Sequence, residues 1–192
     1  MTHSYDPKFL KKRLGGRNLY LIGMMGSGKS RTGPHLAKAM DYGFIDADKV
    51  IEQVCGMAIS KIFETDGEEG FRIVESQVLN AIGQRHSLVV ATGGGVVTKS
   101  QNWGVLHQGI VIWIDPAIER LFARLKSDPG DRPLLNSKPS FSEFESLLAS
   151  REQFYVEADL HLQVKDETPN EVATQIVQRL PLILNSPEAP SE

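Results

Sequence analysis

Five short apolar runs recur along the chain, separated by longer stretches of mixed polarity: NLYLIG at 18–23, FIDAD at 44–48, LVVAT at 88–92, IVIWID at 110–115 and DLHLQV at 159–164. Each predicts a strand. In LYLIG, LVVA and IVIWI the apolar residues are consecutive, not alternating. Both faces of such strands must be covered, as in a parallel sheet held between layers of helices. The first run ends in a glycine-rich turn and leads into a helical segment over 29–40. Near the other end, EVATQIVQRL at 171–180 carries Val172, Ile176, Val177 and Leu180 at helical spacing and predicts the last packing helix. A three-layer α/β/α fold follows.

The stretch 126–140 (KSDPGDRPLLNSKPS) breaks the alternation. It combines three prolines, one glycine and five charged residues with little apolar periodicity, which predicts a long loop of the kind used as a lid. The segment 1–17 reads as an N-terminal extension, 18–184 as one domain and 185–192 as a frayed tail.

A hydrophobic fraction of 41% with 23% charged residues excludes a disordered or coiled-coil chain. The net charge of −3 supplies no overall attraction to nucleic acid or anionic membrane. Neither is expected as a partner, and an anionic ligand must be held by a few local cations. No run reaches the roughly 18 to 20 apolar residues of a membrane span, and no signal core follows the basic N-terminal residues. The single cysteine, Cys55, leaves neither an internal disulfide nor a thiolate metal site. A cytoplasmic protein is expected and, at this size, a monomer.

Gly23-Met24-Met25-Gly26-Ser27-Gly28-Lys29-Ser30 satisfies G-x-x-x-x-G-K-[ST] between a predicted strand and a predicted helix. The glycines let the backbone wrap so that several N–H groups aim at one phosphate, and the helix N-terminus adds partial positive charge. An ordinary turn needs neither the lysine nor the third glycine, so nucleoside triphosphate binding is the strongest reading. Lys29 is then placed on the β- and γ-phosphates and Ser30 on Mg²⁺. Asn136-Ser137-Lys138-Pro139 lacks the Asn-Lys-x-Asp element with which GTP switches read guanine. Motor ATPases end a neighbouring strand in a carboxylate, where this chain has Thr92-Gly93-Gly94-Gly95.

A glycine triplet at a strand's carboxyl end lets a ligand approach the backbone, at the place where open α/β sheets bind ligands. Asp46 and Asp48 alternate along the second predicted strand and can point into the same crevice. One carboxylate near Mg²⁺ and one near an acceptor hydroxyl is the division of labour of phosphoryl transfer to an alcohol. Arg72, Arg132 and Arg151 suit bidentate binding of carboxylate or phosphate, although each taken singly reads as a surface residue. Arg124 and Lys126 read as surface cations at a helix end, and Trp103 and Trp113 as core.

The ordered set resembles the shikimate kinase family over 18–179: the GSGKS loop, Asp-x-Asp, the Ile-Phe-x-x-x-Gly-Glu-x-x-Phe-Arg block at 62–72, Thr-Gly-Gly-Gly, Arg-Pro-Leu-Leu at 132–135, and Arg151 with Tyr155 after it. The resemblance implies a P-loop kinase fold of the nucleoside-monophosphate-kinase type with a five-stranded parallel sheet. It implies transfer of phosphate from ATP, with Mg²⁺, to the 3-hydroxyl of shikimate on the route to chorismate. The ATP set it implies is Gly26, Ser27, Gly28, Lys29, Ser30 and Arg31, with Arg132 closing from the lid. Ser30, and Asp46 through water, would hold the metal. Asp48 would orient the acceptor hydroxyl and take its proton, Arg72 and Arg151 would clamp the carboxylate, and Gly93, Gly94 and Gly95 would contact the ring.

Two rival readings remain: another small-metabolite kinase such as gluconate kinase, and a nucleotide-binding regulatory module without turnover. The arginine pair with the glycine triplet favours a compact carboxylated ring over the first. The presence of Lys29, Ser30, Asp48 and Arg132 together speaks against the second.

Overall fold

The computed structural model describes residues 7–127 and 139–184. Five strands form one parallel sheet: β1 (Leu19–Ile22), β2 (Gly43–Asp46), β3 (Leu88–Ala91), β4 (Ile110–Pro116) and β5 (Leu160–Val164), in the spatial order β2-β3-β1-β4-β5. The helices are α1 (Pro7–Leu14), α2 (Lys29–Met40), α3 (Ala47–Cys55), α4 (Ile59–Gly83), α5 (Ser100–Leu106), α6 (Ile118–Ser127), α7 (Phe141–Tyr155) and α8 (Pro169–Leu184).

The consecutive apolar strands feed two cores. Along β1, Leu19 and Leu21 pack with Val89, Ile112 and Leu162 against α1, α2 and α8. Tyr20 and Ile22 face the other way, with Val90, Val111 and Trp113, against α3, α4 and α5. Both faces of β1 are therefore sealed, and each such aliphatic side chain contributes roughly 1.5–3 kcal/mol by leaving water. A third cluster of Met24, Leu121, Leu125 and Phe144 lies under the loop that follows β1. Trp103 and Trp113 are both buried, as expected.

Because β3 and β1 are neighbours and β2 lies beside β3, the segments leaving their carboxyl ends converge. The 23–30 loop, the 92–95 triplet and the Asp46-Ala47-Asp48 segment thus meet at the carboxyl end of the sheet.

Three features depart from the sequence reading. FIDAD is not a strand throughout: β2 stops at Asp46, and Asp48 sits in the first turn of α3. A carboxylate there meets the positive end of a helix dipole, which favours turning into helix over continuing the strand. The N-terminal extension contains α1, whose Leu10 and Leu14 are fully buried beside α8 while Lys11 pairs with Asp41 at 2.6 Å. Only two core residues one turn apart signal this helix, and tertiary packing forms it. Within α4, Gly67 breaks the helix with φ 70° and ψ −176°. Arg132 and most of the expected lid lie outside the described residues; at its edges α6 runs on to Ser127, and Ser140 caps α7 reciprocally with Glu143.

Candidate active site

The loop after β1 turns through Gly26 at φ 78° and Gly28 at φ 102°, backbone that L side chains rarely adopt. It opens α2 with its amides pointing outward. Among the described residues, no backbone acceptor takes the Gly26, Gly28, Lys29 or Ser30 N–H, the arrangement that makes a helix N-terminus a phosphate cradle.

Lys29 is buried, and its Nζ donates to the Gly23 and Met24 carbonyls at 2.8 and 3.0 Å. Burial pulls its pKa down to about 8, against the pull of Asp48 and Asp46 that favours the charged form. The ammonium is parked on loop carbonyls that an incoming phosphate can replace.

Each glycine of the triplet makes room for a different group. A β-carbon on Gly93 would lie 2.6 Å from Glu75 Oε1 and 3.0 Å from Asp48 Oδ1. On Gly94 it would lie 3.3 Å from the Met25 amide nitrogen and 3.4 Å from Arg151 Nη1, and on Gly95 only 2.6 Å from Arg72 Cζ. The triplet is thus the floor on which the carboxylates and both guanidinium groups rest.

Arg72 and Arg151 are both buried. Arg72 Nη1 donates to Glu75 Oε2 at 2.7 Å and Nη2 to Glu68 Oε1 at 3.1 Å. Glu75 Oε1 has no hydrogen-bond partner among the described residues. Arg151 approaches Met24 Sδ at 3.6 Å, and Tyr155, one turn further along α7, donates to the Gly94 carbonyl at 2.5 Å. Asp48 is half-buried; burial raises its pKa, partly countered by Lys29. Glu75 is raised likewise by burial, partly countered by Arg72.

A cleft of about 560 Å³ is lined in part by Lys29, Asp48, Thr92, Gly94, Arg124 and Pro169. The phosphate cradle, Asp48 and Gly94 line it, and Arg72, Arg151 and Glu75 are buried against the glycine triplet.

A family model described as shikimate kinase matches residues 25–181. The chain belongs to the shikimate kinase family. It is 58% identical over 187 residues to a shikimate kinase of Prochlorococcus marinus (strain MIT 9313), covering 97% of each chain. A shikimate kinase from Acinetobacter baumannii, solved in complex with shikimate, superposes with a TM-score of 0.83 at 36% identity, covering 90% of this chain and 97% of that one. A gluconokinase from Sinorhizobium meliloti reaches a TM-score of 0.56 at 15% identity over 88% of this chain and 94% of its own, which is likeness of fold alone.

In this shikimate kinase family member the structure lines one crevice with Lys29, Asp48 and Gly94, and packs Asp48 against Gly93, Arg151 against Gly94 and Arg72 against Gly95. Asp46 stands at the end of β2 beside them, while Ser30 and Arg31 are exposed at the start of α2.

The sequence reading missed two groups. Glu75 repeats one turn after Arg72 on α4, and an Arg with acids at −4 and +3 on a helix is a legible sign of a held guanidinium. Arg124 is a half-buried group, not a surface cation: its Nη1 donates to the Gly26 carbonyl at 2.7 Å. Nothing local announces that contact across 98 residues. Lys126 is exposed, over the Phe122 ring at 4.5 Å.

Proposed function

We propose that this chain transfers the γ-phosphoryl group of ATP to the 3-hydroxyl of shikimate, giving shikimate 3-phosphate for aromatic amino acid biosynthesis. The observation that carries the reading is the glycine triplet, with Asp48 and Glu75 against Gly93, Arg151 against Gly94 and Arg72 against Gly95, all beside the phosphate loop. Such a floor fits a small ring bearing one carboxylate and several hydroxyls. Two buried guanidinium groups take the carboxylate, and the backbone and acids take the hydroxyls.

Residues 26–31 take the triphosphate, with the loop amides and Lys29 on its phosphates. Asp48 orients the acceptor hydroxyl; its raised pKa moves it toward that of an effective proton acceptor. Lys29 leaves its carbonyl partners for the transferring phosphoryl, whose charge lies on peripheral oxygens. Arg132 is assigned to the same charge from its Arg-Pro-Leu-Leu motif alone.

The Ser30 hydroxyl and the Asp46 carboxylate are hard oxygen donors that suit Mg²⁺, and no trio of carboxylate, histidine or cysteine ligands exists among the described residues to hold a metal without phosphate and water. Mg²⁺ bound there would neutralise charge between the β- and γ-phosphates. We assign the chain a monomeric state.

Phosphorus NMR or mass spectrometry of the product from MgATP and shikimate tests the reading. It requires a phosphate on the 3-oxygen; phosphate on another oxygen would mean that Asp48 addresses a different hydroxyl.

A further inference from the structure

Among the buried hydroxyls that the mechanism above does not use is that of Tyr155. Tyr155 is fully buried, and its Oη donates to the Gly94 carbonyl at 2.5 Å across 61 residues. Its ring stacks on Trp113, with centroids 5.6 Å apart and planes 29° apart. Arg151 stands one turn earlier on α7, and its Nη1 would lie 3.4 Å from a β-carbon on the same Gly94.

Gly94 is therefore held by one side chain of the same helix that presents Arg151. The peptide joining Gly94 and Gly95 is planar, so fixing its carbonyl fixes the direction of the Gly95 N–H on the opposite edge. Neither the Gly94 nor the Gly95 amide donates to a backbone acceptor among the described residues. Gly94 lines the cleft, while Gly95 is buried against the Arg72 guanidinium.

We propose that Tyr155 is a positioning residue for the acceptor: it locks the Gly94 peptide and the Arg151 guanidinium into one geometry, so that ring hydroxyl and carboxylate are gripped in register. The inference rests on the acceptor site assigned above. Burial pushes the Tyr155 hydroxyl up to about 12, which keeps it a donor through the neutral range. Glycine has the freest backbone of any residue, so a triplet needs such a tie to hold one conformation.

Tyr155→Phe keeps the ring and its stack on Trp113 and removes the hydroxyl. In steady-state kinetics the KM for shikimate rises about tenfold, the loss of roughly one good hydrogen bond, while the KM for ATP stays within about twofold. A role confined to stability would lower the melting temperature and leave both KM values alone, and that result overturns the proposal. Trp113→Phe disturbs the stack but keeps the hydroxyl. Its shikimate KM should remain at the wild-type value, and a defect equal to that of Tyr155→Phe would assign the effect to packing and sink the tie. If the wild type shows no shikimate-stimulated turnover, the acceptor site itself is wrong; if the wild type is active and Tyr155→Phe matches it, only the positioning role falls.

Discussion

Arg72 and Glu75, three residues apart on α4, are joined at 2.7 Å with both side chains almost sealed from water. The pair is expensive to break, because the survivor is left as a buried charge; among the described residues the other carboxylate bonded to Arg72 is Glu68.

Glu75→Ala should therefore lower unfolding stability by roughly 3 kcal/mol in urea titrations and raise the KM for shikimate. A loss below about 1 kcal/mol, the level of an exposed pair, would show that the ion pair is not held as described.

Gly95→Ala tests the floor of the site without replacing a charged group. Gly95 has φ −106°, so alanine meets no backbone strain, but its β-carbon would lie 2.6 Å from Arg72 Cζ. Arg72 must move. The shikimate KM should rise by about tenfold or more, with the KM for ATP nearly unchanged. Equal effects on both substrates would contradict the local account.

Lys29 gives a pH signature. In the free protein its pKa is about 8, and a bound triphosphate restores its preference for charge. ATP binding at pH 8.5 should take up protons, read by calorimetry in two buffers of different ionisation enthalpy, and the uptake should vanish in Lys29→Met. On stability the sign is opposite to that of a salt-bridged lysine. The unfolded chain binds this proton more tightly, with the ordinary value of 10.5, so Lys29's contribution to stability rises as pH climbs from about 8 to 10.5.

Asp48→Asn separates binding from chemistry. The amide can still fill the space beside Gly93 but accepts no proton, so ATP affinity should hold while turnover falls by roughly 10² to 10⁴. A variant with wild-type turnover would remove Asp48 from the proton transfer.

What the sequence made legible was local. The strands showed because β1, β3 and β4 are apolar on consecutive residues, and the phosphate loop because its glycines, lysine and flanking elements lie within one strand–turn–helix unit. The convergence of Asp48, Arg72, the triplet and Arg151 became an expectation through resemblance to a family, since their separations carry no geometric information of their own. The reading failed where tertiary contacts decide. Arg124 reaches Gly26 across 98 residues, α1 forms because Leu10 and Leu14 find a pocket beside α8, and Asp48 turns into α3 instead of extending β2.

The central claim is tested most directly by ADP formation from MgATP with purified protein, without acceptor and then with shikimate, gluconate or nucleoside monophosphates under the same conditions. Shikimate alone should stimulate turnover, over a slow acceptor-free rate. Stimulation by gluconate or a nucleotide in its place, or no stimulation while ATP still binds, would contradict the roles given to Asp48, Arg72 and Arg151.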